Sequence, residues 1–336
     1  MKVISTYDSK QLNAGPKAKM DIENILHDKY NAEIITIPFN TNGSVFNKIL
    51  NRLQKYIKCK QVERTDELVV IQFPFDGNVS YTKNIKNKIG IIHDIQELRY
   101  QKINNKEIDA IKECKYVISH NQDMTNYLIS RGVNKNKIVN LEVFDYLTKN
   151  DISSVHNFDS KKVKIVYPGN LSLEKSPFLY QIDPLKINFT ICAYGIGIDN
   201  SINEKIIYKG KFSPDNISNI NGDLGLIWDG NFDESDENEN FKNYTKYNNP
   251  HKFSCCLARG IPVIVWEKSA IAKLVKKYNL GYTIKNVYDI NDLDFSNYEE
   301  YKQNAFEFGK KIRSGFFTVN AMERIIGELD EKKNKN

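Results

Sequence analysis

Short β-branched runs alternate with segments of helical period almost from the first residue, and no other feature restricts the fold of this chain as tightly. In the first half the runs fall at 2–6, 33–37, 67–73, 88–93, 115–120 and 137–141. Segments between them, such as 17–30 and 121–131, carry apolar residues three and four apart, the spacing of one helix face. The runs LVVIQF, IGIIH and YVIS are apolar on both faces, which predicts a parallel sheet covered by helices on both sides. Residues 1–148 therefore read as one doubly wound, Rossmann-like domain.

The polar stretch TKNDISSVHNFDS follows and reads as a linker at 149–160. A second series then gives strands at 162–167, 187–193, 204–208, 223–228, 262–266 and 282–284, with helices at 250–259, 270–278, 298–314 and 318–331. The second domain is expected to span 161–314, and a C-terminal helix at 315–331 to pack back on the first domain. The fold class is thus α/β, with two Rossmann-like domains facing a cleft. Ligands of such sheets bind at the carboxyl ends of the strands.

Charge and cysteine content narrow the function. Lys and Arg number 48 against 42 Asp and Glu, a surplus of +6 that is mild for a dedicated nucleic-acid binder. No apolar run approaches the ~20 residues of a membrane span. The N-terminus MKVISTYDSK lacks the apolar core of an export signal, so a cytoplasmic protein is expected. Five cysteines, odd in number and without a CxxC pair, support neither a metal site nor a disulfide framework. The acidic run DESDEN, residues 233–238, lacks a metal-ligand pattern and reads as a solvated loop. In SVFNKILNRLQKYIKCK, Phe46, Ile49, Leu50, Leu53 and Ile57 share one helix face. Such a helix can lie peripherally on an anionic membrane. Covering the sheet with that face is the simpler reading.

The most informative stretch is KYNNPHKFSCCLARGIPVIVW, residues 246–266. Asn249 suits a helix N-cap and Pro250 the first helical position. Lys252 then falls in the first turn, where free N–H groups and the helix dipole already favour an anion. A cation is unfavourable there without a negative neighbour, and a diphosphate would satisfy both. The alternative is a solvated first-turn lysine. Gly169 and Asn170 end the run KVKIVYP; the glycine admits close ligand approach, Asn170 can bond a phosphate or sugar hydroxyl, and Lys175 can add a charged contact. An ordinary turn has the same residues. Tyr194 ends INFTICAY and offers either a stacking face for a nucleobase or a structural ring. Gly15 stands between the first strand and a helix, but neither there nor at 195–197 is there a GxGxxG fingerprint, which disfavours a nicotinamide enzyme.

His93 and Asp94 end KIGIIHD, where either can act as general base toward an attacking hydroxyl. Equally, Asp94 suits a turn cap and His93 a core position. His120, at the strand end SHN, is a further cleft candidate, with Asn121 as N-cap of the next helix. No GxSxG elbow accompanies the serines, so a hydrolase triad is unsupported.

The Asn-Pro-His-Lys stretch with GIPVIVW, the Tyr-Pro-Gly-Asn strand end, the His-Asp strand end and Ser-His-Asn together resemble a bacterial family of sugar transferases. It is the family of the glucosyltransferase 3 enzymes, which extend O-linked glycans on serine-rich-repeat adhesins; related galactofuranosyltransferases look similar. The resemblance runs through nearly the whole chain. It implies a GT-B fold, metal-independent transfer from a UDP-sugar without a cofactor, and a homo-oligomer, often a tetramer. It also implies that Asn249, Pro250, His251 and Lys252 hold the uridine diphosphate with Gly169, Asn170 and Tyr194 around it, and that Gly15, Pro16 and Lys17 face the donor. The expected acceptor is a glycosylated protein or glycan. A galactofuranosyltransferase of exopolysaccharide synthesis and a non-catalytic accessory subunit stand as alternatives.

Overall fold

The computed structural model describes residues 1–6, 14–37, 45–75, 79–149, 158–232 and 240–334, the side chains at 14, 15, 45, 48 and 333 apart. The acidic run at 233–238 and most of the linker lie outside the described residues. In chain order the first elements are β1 (Lys2–Ser5), α1 (Ala14–Tyr30), β2 (Glu33–Thr36), α2 (Val45–Glu63), β3 (Val69–Phe73), β4 (Lys88–Ile92), α3 (Gln96–Tyr100), α4 (Asn105–Lys112), β5 (Tyr116–Ser119), α5 (Gln122–Ser130) and β6 (Ile138–Asn140). They continue with β7 (Lys164–Asn170), α6 (Phe178–Gln181), β8 (Thr190–Ile196), β9 (Ile206–Tyr208), β10 (Leu224–Ile227), α7 (Asn240–Tyr244) and α8 (His251–Ala258). The last are β11 (Val263–Trp266), α9 (Ala272–Lys277), β12 (Gly281–Ile284), α10 (Tyr298–Arg313) and α11 (Phe316–Asn334).

The chain divides into two units, Met1–Val143 with Gly315–Asn336, and Phe144–Ser314. Unit 1 holds a parallel sheet in the order β2-β1-β3-β4-β5-β6. Its central strands β3, β4 and β5 are buried along their whole length, as their two-sided apolarity demands. Ile71, Phe73, Ile92, Val117, Met124 and Leu128 form its core. Each fully buried aliphatic side chain contributes about 1.5–3 kcal/mol. Asn121 caps α5 as its sequence position suggests, its side chain accepting from the Met124 N–H at 3.0 Å. The C-terminal α11 packs on α1 and β6 of this unit, with the Tyr30 hydroxyl donating to the Val319 carbonyl.

The long helix α2 departs from expectation. Its apolar face does not cover the sheet: Phe46, Ile49, Leu50, Leu53 and Ile57 are exposed, while Cys59 and Val62 anchor the opposite side in the core. Lys58 adds a hydrogen bond from its ammonium to the Thr36 carbonyl, and the Tyr56 ring meets Tyr81 edge-on. The helical period identified the stripe correctly, but it carries no information about which side faces the protein.

Unit 2 holds a second parallel sheet, in the order β12-β11-β10-β7-β8-β9. Ile165, Ile191, Leu226, Trp228 and Ile264 fill its core together with Phe178. Counted within the unit, this is the order 3-2-1-4-5-6 of dinucleotide-binding folds, with its reversal between β7 and β10.

Candidate functional site

The carboxyl ends of β7 and β10 frame the crevice at that reversal, where folds of this order bind ligands. At the end of β7, Gly169 pairs in register with Gly195 of β8. A Cβ on Gly195 would lie 1.8 Å from the Gly169 carbonyl oxygen, so the two backbones meet only because residue 195 has no side chain. Asn170 closes a tight turn, its Oδ1 accepting from the Ser172 N–H at 2.9 Å. Lys175, a few residues on, places its ammonium 5.4 Å from the Phe241 ring centre.

Helix α8 supplies the other wall. Its cap position is Pro250, extended at φ −67° and ψ 136°, one residue later than the start expected of Asn249. A residue before proline is kept out of helical geometry, and here the proline itself stays extended, its carbonyl accepting from the Phe253 N–H at 2.9 Å. The helix ends in a Schellman pair: Gly260 N–H to the Leu257 carbonyl at 2.8 Å and Ile261 N–H to the Cys256 carbonyl at 2.9 Å. Asn249 is buried, and His251 stacks on Tyr146 with ring centres 4.7 Å apart.

Lys252 sits at the reversal itself. Its ammonium donates to the Asp229 carboxylate at 2.7 Å, the Trp228 carbonyl at 2.7 Å and the Tyr167 hydroxyl at 2.9 Å, bridging the ends of β10 and β7. Asp229 is thus the negative neighbour that a first-turn cation requires. Sequence reading missed it, although the strand end LGLIWDG repeats the pattern that singled out Gly169 and Asn170. From Tyr167 the chain of hydroxyls continues 2.6 Å to Ser176, which donates to the Asn170 carbonyl at 2.7 Å. Burial, reinforced by the Asp229 charge, pushes the Tyr167 hydroxyl well above its ordinary pKa, so it stays a neutral donor. Lys252 also lies against the open side of Gly169, 3.7 Å from where a Cβ would stand.

Two further lysines border these strand ends. Lys242, buried, holds its ammonium 4.2 Å from the Trp228 ring centre and 5.1 Å from that of Trp266; Lys246 lies 5.6 Å from Trp266. Tyr194 differs from expectation: it is only 5% exposed and its hydroxyl accepts from the Asn221 N–H at 3.2 Å, so its ring presents no open face for stacking. Among the described residues no group of three or more His, Cys, Asp or Glu side chains could hold a metal ion.

In unit 1, Gly15 and Pro16 open α1, and the buried Lys17 pairs with Asp21 one turn on, at 2.6 Å. His93 follows β4 directly, with its Nε2 2.7 Å from Gln72 Oε1. The Gln72 amide donates to Glu23 Oε1 at 3.0 Å and lies 3.4 Å from the Lys19 carbonyl. The Lys19 carbonyl can only accept, which turns the amide nitrogen toward it and the amide oxygen toward His93 Nε2. Asp94 pairs with Arg99 at 2.6 Å. His120 is 1% exposed, its Nε2 3.0 Å from the Ile92 carbonyl, and burial drives its pKa down to about 4; it is a core histidine.

Two Rossmann-like parallel sheets of six strands in one chain are the GT-B architecture, and fold alone does not name the reaction. The same fold is found in the crystal structure of Anabaena Alr3699/HepE in complex with UDP and glucose, with a TM-score of 0.62 at 13% identity over 98% of this chain and 99% of that one. Residues 1–143 match the N-terminal domain of glucosyltransferase 3-like proteins and residues 165–325 their C-terminal domain, so the chain belongs to the glucosyltransferase 3-like family. It is 31% identical to the β-1,6-galactofuranosyltransferase WbbI of Escherichia coli K12, over 94% of this chain and 96% of that protein. To glucosyltransferase 3 of Streptococcus parasanguinis it is 26% identical, over 76% of this chain and 77% of the relative.

Proposed function

We propose that unit 2 binds a UDP-sugar and that the protein transfers its hexose, glucose or N-acetylglucosamine, to a hydroxyl of a glycan acceptor such as an O-linked glycan of a serine-rich-repeat adhesin. The donor assignment rests on one observation, the Lys252 ammonium held at the β7–β10 reversal beside Gly169. As the anomeric bond breaks, negative charge grows on the leaving diphosphate. Lys252 and the first N–H groups of α8 are preorganised to meet it, with Lys175, Lys242 and Lys246 enriching positive charge nearby. Protein cations in that role make a metal ion and any other cofactor unnecessary. Asn170, Asn249, Gly15, Pro16 and Lys17 are assigned to donor binding. His93, with Asp94 beside it, is assigned as the general base that removes the acceptor proton, its ring oriented by the Gln72 contact. A homo-oligomer working in the cytoplasm completes the proposal.

A second reading, galactofuranosyl transfer in exopolysaccharide synthesis, is favoured by the 31% identity to the E. coli galactofuranosyltransferase over nearly the full chain. Turnover of UDP-glucose, UDP-N-acetylglucosamine and UDP-galactofuranose distinguishes the two. Calorimetric titration of UDP, with NAD as control, tests the site. Micromolar binding of UDP alone, lost in a Lys252→Met/Asp229→Asn double variant that still folds, is the expected result. A folded wild type that ignores UDP would sink the donor site and favour an accessory subunit.

A further inference from the structure

Helix α2 turns its apolar side away from its own domain. Phe46 is 73% exposed, Ile49 60%, Leu50 42%, Leu53 52%, Tyr56 46% and Ile57 45%. Residues 46, 50, 53, 57 and 60 follow one another at spacings of four and three, the seam of a paired helix. The stripe belongs to a fixed surface, because Cys59, Val62 and Lys58 hold the other side of α2 to the domain.

We propose that this stripe pairs with the same stripe of a second copy of the chain, the two α2 helices running antiparallel across a two-fold axis near Leu53. Leu53 is the midpoint of the 46–60 seam, so the axis sets Leu50 against Tyr56, Ile49 against Ile57 and Phe46 against Lys60. That last pair lays a lysine stem and ammonium over an aromatic ring at each end of the seam. Lys60 already holds such a position toward Tyr56, 5.6 Å from the ring centre, while salt-bridged to Glu63 at 2.7 Å. At roughly 150–250 Å² per large side chain and about half exposure, the six residues offer roughly 500–600 Å² per chain. A pair then buries on the order of 1,100 Å², above the ~1,000 Å² expected of a specific interface.

Charge placement separates this occupant from a membrane surface. A helix lying on anionic lipid carries its cations alongside the apolar stripe. Here Lys55 and Lys58 fall by helical spacing on the opposite, domain-facing side, Lys60 within the stripe is neutralised by Glu63, and among the described cationic side chains of α2 Arg52 alone stands exposed at the stripe's edge. The interface is independent of the donor site, so either proposal can fail alone.

Sedimentation velocity of the full chain tests it. Wild type at tens of micromolar is expected as a dimer or a multiple of one, and Leu53→Lys, a surface change, is expected to halve the mass without altering the melting curve. All five native cysteines are buried. Leu53→Cys should therefore give a disulfide-linked dimer under mild oxidation, whereas the control Leu185→Cys, at a position 93% exposed, should not. A monomeric wild type overturns the proposal. So does an oligomer that withstands Leu53→Lys and gives no cross-link at residue 53. A monomer that binds phosphatidylglycerol vesicles and loses them with Leu53→Lys overturns it in favour of the membrane.

Discussion

The two units carry parallel sheets of equal strand number, yet they reverse strand order in different ways and furnish the reversals differently. Unit 2 reverses between β7 and β10 and places there a charged bridge, Lys252 to Asp229, beside a backbone laid bare at Gly169 and Gly195. Unit 1 reverses between β1 and β3, and the last polar side chain of β3, Gln72, is tied to Glu23 of α1 and to His93. One reversal holds an ion pair, the other an amide strung between a carboxyl group and an imidazole. A fold that binds ligands at strand ends can thus be specialised twice within one chain by changing a few side chains.

The largest expected effect is on the charged bridge. Lys252→Ala takes the ammonium away from the buried Asp229 carboxylate and should destabilise unit 2 by about 3–5 kcal/mol in urea denaturation. The Lys252→Met/Asp229→Asn double variant should recover most of that loss; equal destabilisation would mean the bridge is not the reason for it. In the same double variant the sugar-transfer rate should fall by ~10²–10³, read in single-turnover kinetics at saturating acceptor. Gln72→Met removes the amide oxygen that faces His93 Nε2. It should lower the rate by about tenfold or more while leaving UDP affinity unchanged, because general base catalysis is worth ~10²–10⁴ and only part of it is lost. A shift in UDP affinity instead would erase the division between the two reversals.

The smallest effect separates the buried acids. Asp229 of unit 2 is paired, whereas burial raises Glu107 of unit 1 from its ordinary 4.5 to about 7. Between those values the folded state binds more protons than the unfolded one, so this contribution to stability is present at pH 4.5 and is lost as pH rises through 7. Glu107→Gln should raise the melting temperature at pH 8 and change it little at pH 5. Buried His120, at about 4, works the other way, its contribution lost as pH falls from 6.5 toward 4.

The sheets were legible because strands apolar on both faces admit few other structures, and α8 because its proline and its Arg-Gly end bracket eight residues. The partners of the site residues were not. Asp229 stands 23 positions from Lys252 and Gln72 lies 49 from Glu23, and nothing local marks either pair. Tyr194 failed as a stacking platform for a related reason: a strand-end aromatic looks the same in sequence whether a loop covers it or not. The stripe on α2 was visible as a period, but its direction depends on which residues of the rest of the fold receive it.

Gly195 and the Lys252–Asp229 bridge would age differently in a lineage that stopped transferring sugar. A side chain at 195 collides with main chain at 1.8 Å, so selection for folding alone preserves the glycine. A buried ion pair has no such protection, since apolar replacements of both partners are often neutral or stabilising. Among descendants of this chain, survival of the glycine would testify only to a folded protein; survival of the bridge would testify to one still in use.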